Sequence, residues 1–283
     1  MRWRGNRQSE NVEDLRGNRG RNVALGGGLG AIVVTLLIIF LGGDPEKAVQ
    51  TFQAPSASES QQVQPLTAEE KEAGEFVSVI LASTEDVWKE LFQQMNREYR
   101  EPKLVLFSGS VESACGFAQS ATGPFYCPGD EKVYIDLEFF KELQERLNAT
   151  GDFAQAYVIA HEIGHHVQTL LGTMAEVDDQ RSSLSKKELN RLTVRLELQA
   201  DFLAGVWAHH AQRTKDILEQ GHIEEGLNAA AAVGDDRLQK MQTGQVVPDA
   251  FTHGTSEQRV RWFTQGFKTG DLRQGDTFHT REL

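Results

Sequence analysis

Residues 152 to 171 read DFAQAYVIAHEIGHHVQTLL. Apolar Phe153, Ala156, Ile159, Ala160, Ile163, Val167 and Leu170 recur at helical period, so the stretch predicts one helix. Asp152 and Gln155 have the spacing of a capping box, and Gly172 can close the far end. On a helix, positions i and i+4 lie one above the other. His161 and His165 can therefore aim two imidazoles at one point, which supplies two of the three protein ligands of a catalytic zinc ion. Glu162 is one step round the helix, where it can take a proton from a water held at that point. Two surface histidines on an ordinary helix are the plainer alternative. A helix this apolar does not favour His or Gly without cause, however. Gly164 signals close approach of another chain or a substrate.

A third ligand is expected from a later helix. Ser185 and Glu188 open a long helical stretch containing Glu197 and Asp201, again four apart and on one face. Leu196, Leu198, Ala200, Phe202, Leu203 and Val206 surround them. Two carboxylates amid that much apolar surface need partners. Two His and one Glu leave a fourth zinc position open, as catalysis requires. Asp201 can then accept the free ring N–H of a ligand histidine. The competing histidines fit less well. His166 points about 100° away from His165. His209 and His210 lie some two turns past Asp201 and read as an exposed helix-end pair. His222 and His279 sit in polar surroundings without an assigned role. His253, in Thr252-His253-Gly254-Thr255-Ser256, opens the last helix, where a separate imidazole can bind a developing oxyanion. A packing or capping histidine is the alternative. Arg259 on that helix is expected to pair with a carboxylate.

The chain has 283 residues, 39% of them hydrophobic, which allows one large domain or two small ones. Its net charge of -12 makes a nucleic-acid partner unfavourable. The charge is uneven: residues 1–22 carry six Arg against Glu10, Glu13 and Asp14, a net of +3 that leaves -15 for the rest. The two cysteines, Cys115 and Cys127, form no CxxC pair, which excludes a cysteine-rich zinc site.

Residues 1–22 read as a disordered basic tail. Val23 to Leu41 contains no charge and, as a helix, spans about 28 Å, enough for a bilayer core. It is longer than a signal-peptide core and no small-residue cleavage site follows, so an uncleaved transmembrane anchor is expected. The flanking Arg residues place the N-terminus in the cytoplasm and the bulk of the chain outside, in a bacterium the periplasm or cell exterior. That compartment permits a disulfide between Cys115 and Cys127. Residues 42–66 read as a flexible linker. The folded domain is expected over 67–283, starting with a capping box at Thr67 and Glu70. One helix is expected to about Leu81 and a second from near Thr84. Lys103–Phe107 and Lys132–Asp136 read as strands, with a loop between them and a helix at 137–147. The strand at 133–136 is expected to offer an edge to an extended peptide, and residues 172–183 read as a loop able to move.

HEIGHH, LELQAD and THGTSEQR behind one N-terminal span resemble the neutral zinc metallopeptidases of bacteria, over nearly the whole chain. More distantly, HExxH, ExxxD and a late TH segment resemble gluzincin peptidases with several membrane spans. The resemblance implies His161, His165 and Glu197 as ligands of one Zn2+, Glu162 as general base and Asp201 as supporting acid. The distant relatives have Pro where this chain has Gly254.

The sequence thus predicts an α+β, mostly helical, zincin-like domain with a small sheet, preceded by one transmembrane helix. The expected activity is zinc-dependent hydrolysis of a peptide or protein substrate, by a single-pass protein of a bacterial inner membrane whose catalytic domain is extracytoplasmic. A zinc amidase acting on cell-wall material and a non-catalytic scaffold with a structural metal are the alternatives.

Overall fold

The computed structural model describes residues 1–16, 65–119, 123–219 and 221–283. Met1–Leu15 and Thr67–Leu283 form one compact unit; a second, Arg16–Leu66, falls almost wholly outside the described residues. The span expected at 23–41 and nearly all of the expected linker lie outside them too. No described helix is long and apolar enough to cross a membrane.

The first unit is α+β and mostly helical, as expected. In chain order it contains β1 (Val12–Asp14), α1 (Ala68–Gln94), β2 (Lys103–Phe107), β3 (Ser110–Ser113), β4 (Gly116–Gln119), β5 (Phe125–Cys127) and β6 (Lys132–Asp136). Helices α2 (Glu138–Glu145), α3 (Asp152–Leu171), α4 (Thr173–Arg181), α5 (Lys186–Lys215), α6 (His222–Ala232), α7 (Asp235–Thr243) and α8 (Ser256–Thr269) follow.

Local chemistry sets the helix ends. Thr67 with Glu70 and Ser185 with Glu188 form the expected capping boxes. Gly172 closes α3 at φ 93°, a conformation open to glycine. The box expected at Asp152 does not form: Gly151 is the N-cap, and Asp152 instead accepts a hydrogen bond from the Trp3 indole at 3.1 Å. The two helices expected to meet near Thr84 are one. Thr84 donates its hydroxyl to the Leu81 carbonyl at 2.7 Å and is fully buried, so its polar group is satisfied inside the helix. Residues 173–181, expected to be loop, form α4.

The sheet order is β1-β2-β6-β5, with β1, β2 and β6 parallel and β5 antiparallel to β6. Leu104, Leu106, Val133 and Ile135 face the helical core, whereas Val105, Phe107 and Tyr134 pack with Val111 and Ala118 of the β3–β4 hairpin. Both faces are thus covered, and strand residues of either parity are apolar. The expected disulfide is present: Cys115 at the hairpin turn joins Cys127 on β5. Two expectations fail here. The strand at 133–136 lies between β2 and β5, so it has no edge to offer a peptide. Residues 1–15, read as part of a disordered tail, fold onto the unit: Trp3 is buried in the main core and β1 pairs with β2. Composition counts apolar residues within a segment; the partners of this one lie far along the chain.

Helices α5 and α8 pack backbone to backbone. A methyl group on Gly205 would overlap the Phe263 carbonyl, and one on Gly266 the Phe202 carbonyl. Neither neighbour is a flexible side-chain end, so relief requires moving a helix. Gly205→Ala is expected to cost about 3 kcal/mol or more of stability, read by denaturant unfolding. Wild-type stability in that variant would mean the two helices do not meet as described.

Candidate metal centre

Helices α3 and α5 cross where both lack bulk. A Cβ on Gly164 would stand 3.0 Å from the Ala200 carbonyl oxygen and 3.2 Å from its Cα. The close approach that Gly164 signalled is therefore to α5. It brings Glu197 over the two histidines one helix away. Glu197 Oε2 lies 3.2 Å from His161 Nε2 and 3.5 Å from His165 Nε2. One ligand atom from each of the three residues lies within 4.8 Å of the others, so the group could hold a metal ion.

The remaining ring nitrogens are held in turn. His161 Nδ1 is 2.9 Å from Asp201 Oδ1, and His165 Nδ1 is 2.8 Å from Gln168 Oε1. With those nitrogens protonated, Nε2 of each ring is the atom that faces Glu197: it donates to the carboxylate while protonated and becomes the ligand atom once a metal displaces that proton. Gln168 donates to the Leu196 carbonyl at 2.7 Å and to Gln199 at 3.0 Å, tying α3 to α5 beside the site. Asp201 accepts two hydrogen bonds from Arg259, at 2.8 and 2.9 Å, and one from the Tyr157 hydroxyl. Arg259 and Asp201 are both buried, the pairing with a carboxylate that was expected. Sequence reading missed Gln168 and Tyr157. The available signal was their spacing: Gln168 follows His165 by three and Tyr157 precedes His161 by four, on the helix face turned to α5.

Electrostatics agree with a cation site. Burial opposes a charge on His161, but the Asp201 and Glu197 carboxylates outweigh it and push the ring up to about 10. His165 is raised in the same way, chiefly by Glu197 against burial. Burial also opposes the Glu197 charge, yet the two imidazoles hold its carboxyl well below the usual range. Asp201 is lowered to about 2 by Arg259 and His161, despite complete burial. The cluster therefore keeps two carboxylates ionised and gathers positive charge in front of them. A divalent ion would replace those protons, as metal binding at His sites does.

The centre opens into a cavity of about 350 Å³. Its polar wall includes Glu162, Glu197, His253 and Arg259, and its apolar wall Phe125, Phe139, Val158 and Leu238. Glu162 is buried and flanks the histidines, as a neighbour on the same helix should. His253 is half-exposed on the loop before α8. That loop hangs on Asp235: one carboxylate oxygen accepts the N–H groups of Thr252, His253 and Gly254 at 2.7, 2.6 and 3.0 Å. The other oxygen is 3.3 Å from His253 Nδ1. The remaining histidines lie elsewhere. His166 is buried between the Tyr126 hydroxyl and the Arg100 carbonyl. His209 and His210, expected to be exposed, are half-buried and bonded to carbonyls at the end of α8.

The chain is 47% identical over 285 residues to YpfJ, an uncharacterized Escherichia coli (strain K12) protein, across 98% of this chain and 99% of that one. It is 43% identical over 211 residues to Rv2575, an uncharacterized protein of Mycobacterium tuberculosis (strain H37Rv), across 71% and 69% of the two chains. No solved structure matches it. A family model described as "Putative neutral zinc metallopeptidase" matches residues 1–278. With two imidazoles and a carboxylate gathered in the wall of one cavity, and a family match spanning nearly the whole chain, this protein belongs to that zinc metallopeptidase family.

Proposed function

We propose that the protein hydrolyses peptide bonds with one zinc ion held by His161, His165 and Glu197. The convergence of those three side chains in the wall of one cavity, with Glu162 beside them, carries the reading. A bound zinc ion would supply Lewis acidity toward the scissile carbonyl and a lowered pKa for the attacking water. Glu162 takes the proton from that water and delivers it to the leaving amine. Asp201 and Gln168 hold the two imidazoles in the required tautomer. Arg259 keeps Asp201 ionised. His253, aimed by Asp235, faces the developing oxyanion. The sheet edge nearest the site is β5, whose Phe125 and Tyr126 line the cavity, so an extended substrate would pair there. Attachment to a bacterial membrane through residues 23–41 is part of the proposal and rests on their sequence.

The test is metal analysis and peptide-library cleavage on the full chain, because truncation at Thr67 would remove β1. About one zinc per chain and cleavage abolished by a chelator are expected. Stoichiometric zinc with no cleavage of any peptide would favour a structural metal. His253→Ala is expected to lower kcat about 10²- to 10³-fold with zinc content unchanged, as loss of one oxyanion donor does. Asp235→Ala should act in the same direction by freeing the loop. Full activity in both variants would remove His253 from the mechanism.

A further inference from the structure

Residues 1–15 occupy a surface of the domain built to receive them. The centre of that surface is Glu85, on α1, which is only 1% exposed. Its carboxylate is held by three residues of the N-terminal segment: Arg7 at 2.9 Å, Asn11 at 2.9 Å and the Ser9 hydroxyl. Without the segment, α1 would carry a carboxylate stripped of these partners. Ser9 and Ser78 also exchange hydrogen bonds, backbone to backbone and hydroxyl to backbone, both at 3.0 Å. The Trp3 ring packs edge-on against Phe76 with centroids 5.4 Å apart. Val12, Glu13 and Asp14 align with Leu104, Val105 and Leu106 and cover what would otherwise be an open edge of β2.

We infer that this segment is the resident occupant of that surface, in the same chain, and that it shares one compartment with the catalytic domain. A folded unit cannot be assembled from both sides of a bilayer. Between Leu15 and Thr67 the chain therefore crosses a membrane an even number of times or not at all. The uncharged stretch 23–41 is long enough for one helical crossing and too short for two. It therefore does not place the N-terminus in the cytoplasm with the domain outside, the arrangement that its flanking arginines suggest.

The test uses the full chain in intact bacterial cells, with single cysteines introduced at Glu10 and, separately, at Gln245, both exposed. A membrane-impermeant maleimide is added before or after permeabilisation, with the unsubstituted chain as background. Both positions are expected to label alike. Labelling of one before and the other only after permeabilisation would overturn the inference. A Ser9→Cys/Ser78→Cys variant, oxidised in isolated membranes, is expected to cross-link within one chain. A link only between two chains, or none, would also overturn it. Neither readout depends on zinc or hydrolysis, so the inference stands or falls apart from the proposed activity.

Discussion

Glu162→Gln is expected to keep zinc and to lose peptide hydrolysis by about 10²- to 10⁴-fold, the usual contribution of a positioned general base. The substitution preserves the size and polarity of a buried side chain that lines the cavity. It removes only the ability to take a proton. The three proposed ligands make their hydrogen bonds to Asp201, Gln168 and one another, without it. Zinc content near one per chain, unchanged thermal unfolding and a collapse in kcat rather than a rise in KM are expected together. Activity within a few-fold of wild type would remove Glu162 as the base. Loss of zinc along with activity would place Glu162 among the ligands instead.

Asp201→Ala is expected to damage both the fold and the site. Asp201 is fully buried and accepts hydrogen bonds from Arg259, Tyr157 and the His161 ring. Removing it leaves the Arg259 guanidinium, itself 3% exposed, as an uncompensated buried charge. Breaking one side of such a pair costs about 3–5 kcal/mol. The His161 ring also loses the acceptor that orients it, which typically weakens metal binding about 10- to 100-fold. The double variant Asp201→Leu/Arg259→Met separates the effects. Apolar replacement of both charges should recover much of the stability, because a buried ion pair can be exchanged for packed side chains at little net cost. It should not recover zinc affinity. Unfolding by denaturant and zinc competition titration measure the two quantities. A single variant with wild-type stability and affinity would mean that the network does not support the centre.

The histidine pair of α3 was legible because it needs only local geometry. Helical period puts His161 and His165 on one face whatever surrounds them, and Gly172 ends the helix by its own backbone freedom. The α5 carboxylates were legible because ionisable groups in an apolar stretch demand partners. Their histidine partners were legible with them: Asp201 was expected against a ligand imidazole and lies 2.9 Å from His161 Nδ1. The residue that holds the other imidazole was not legible. Gln168 is an ordinary polar residue until α5 is laid against α3, and its amide then reaches His165, Leu196 and Gln199 at once. The edge strand was misjudged for a related reason: strand character can be read from KVYID, but strand order depends on β5, a three-residue element inside a stretch rich in turn formers.

The N-terminal residues mark the same boundary more sharply. Their composition is that of a disordered tail, and the physical rule behind that reading holds for a segment acting alone. Docked, Arg7 and Asn11 find Glu85, and Trp3 finds Phe76, partners some seventy positions away. By itself, then, the sequence determined which residues could bind a metal, where α3 begins and ends and where α1 and α5 begin, and that two cysteines were available to pair. Only the tertiary structure decided which strand is the edge, that Gln168 orients the second imidazole, and that the first fifteen residues belong to the fold. The difference lies in reach: helix period and capping act within a few residues, whereas pairing, burial of charge and sheet order depend on groups that only folding brings together.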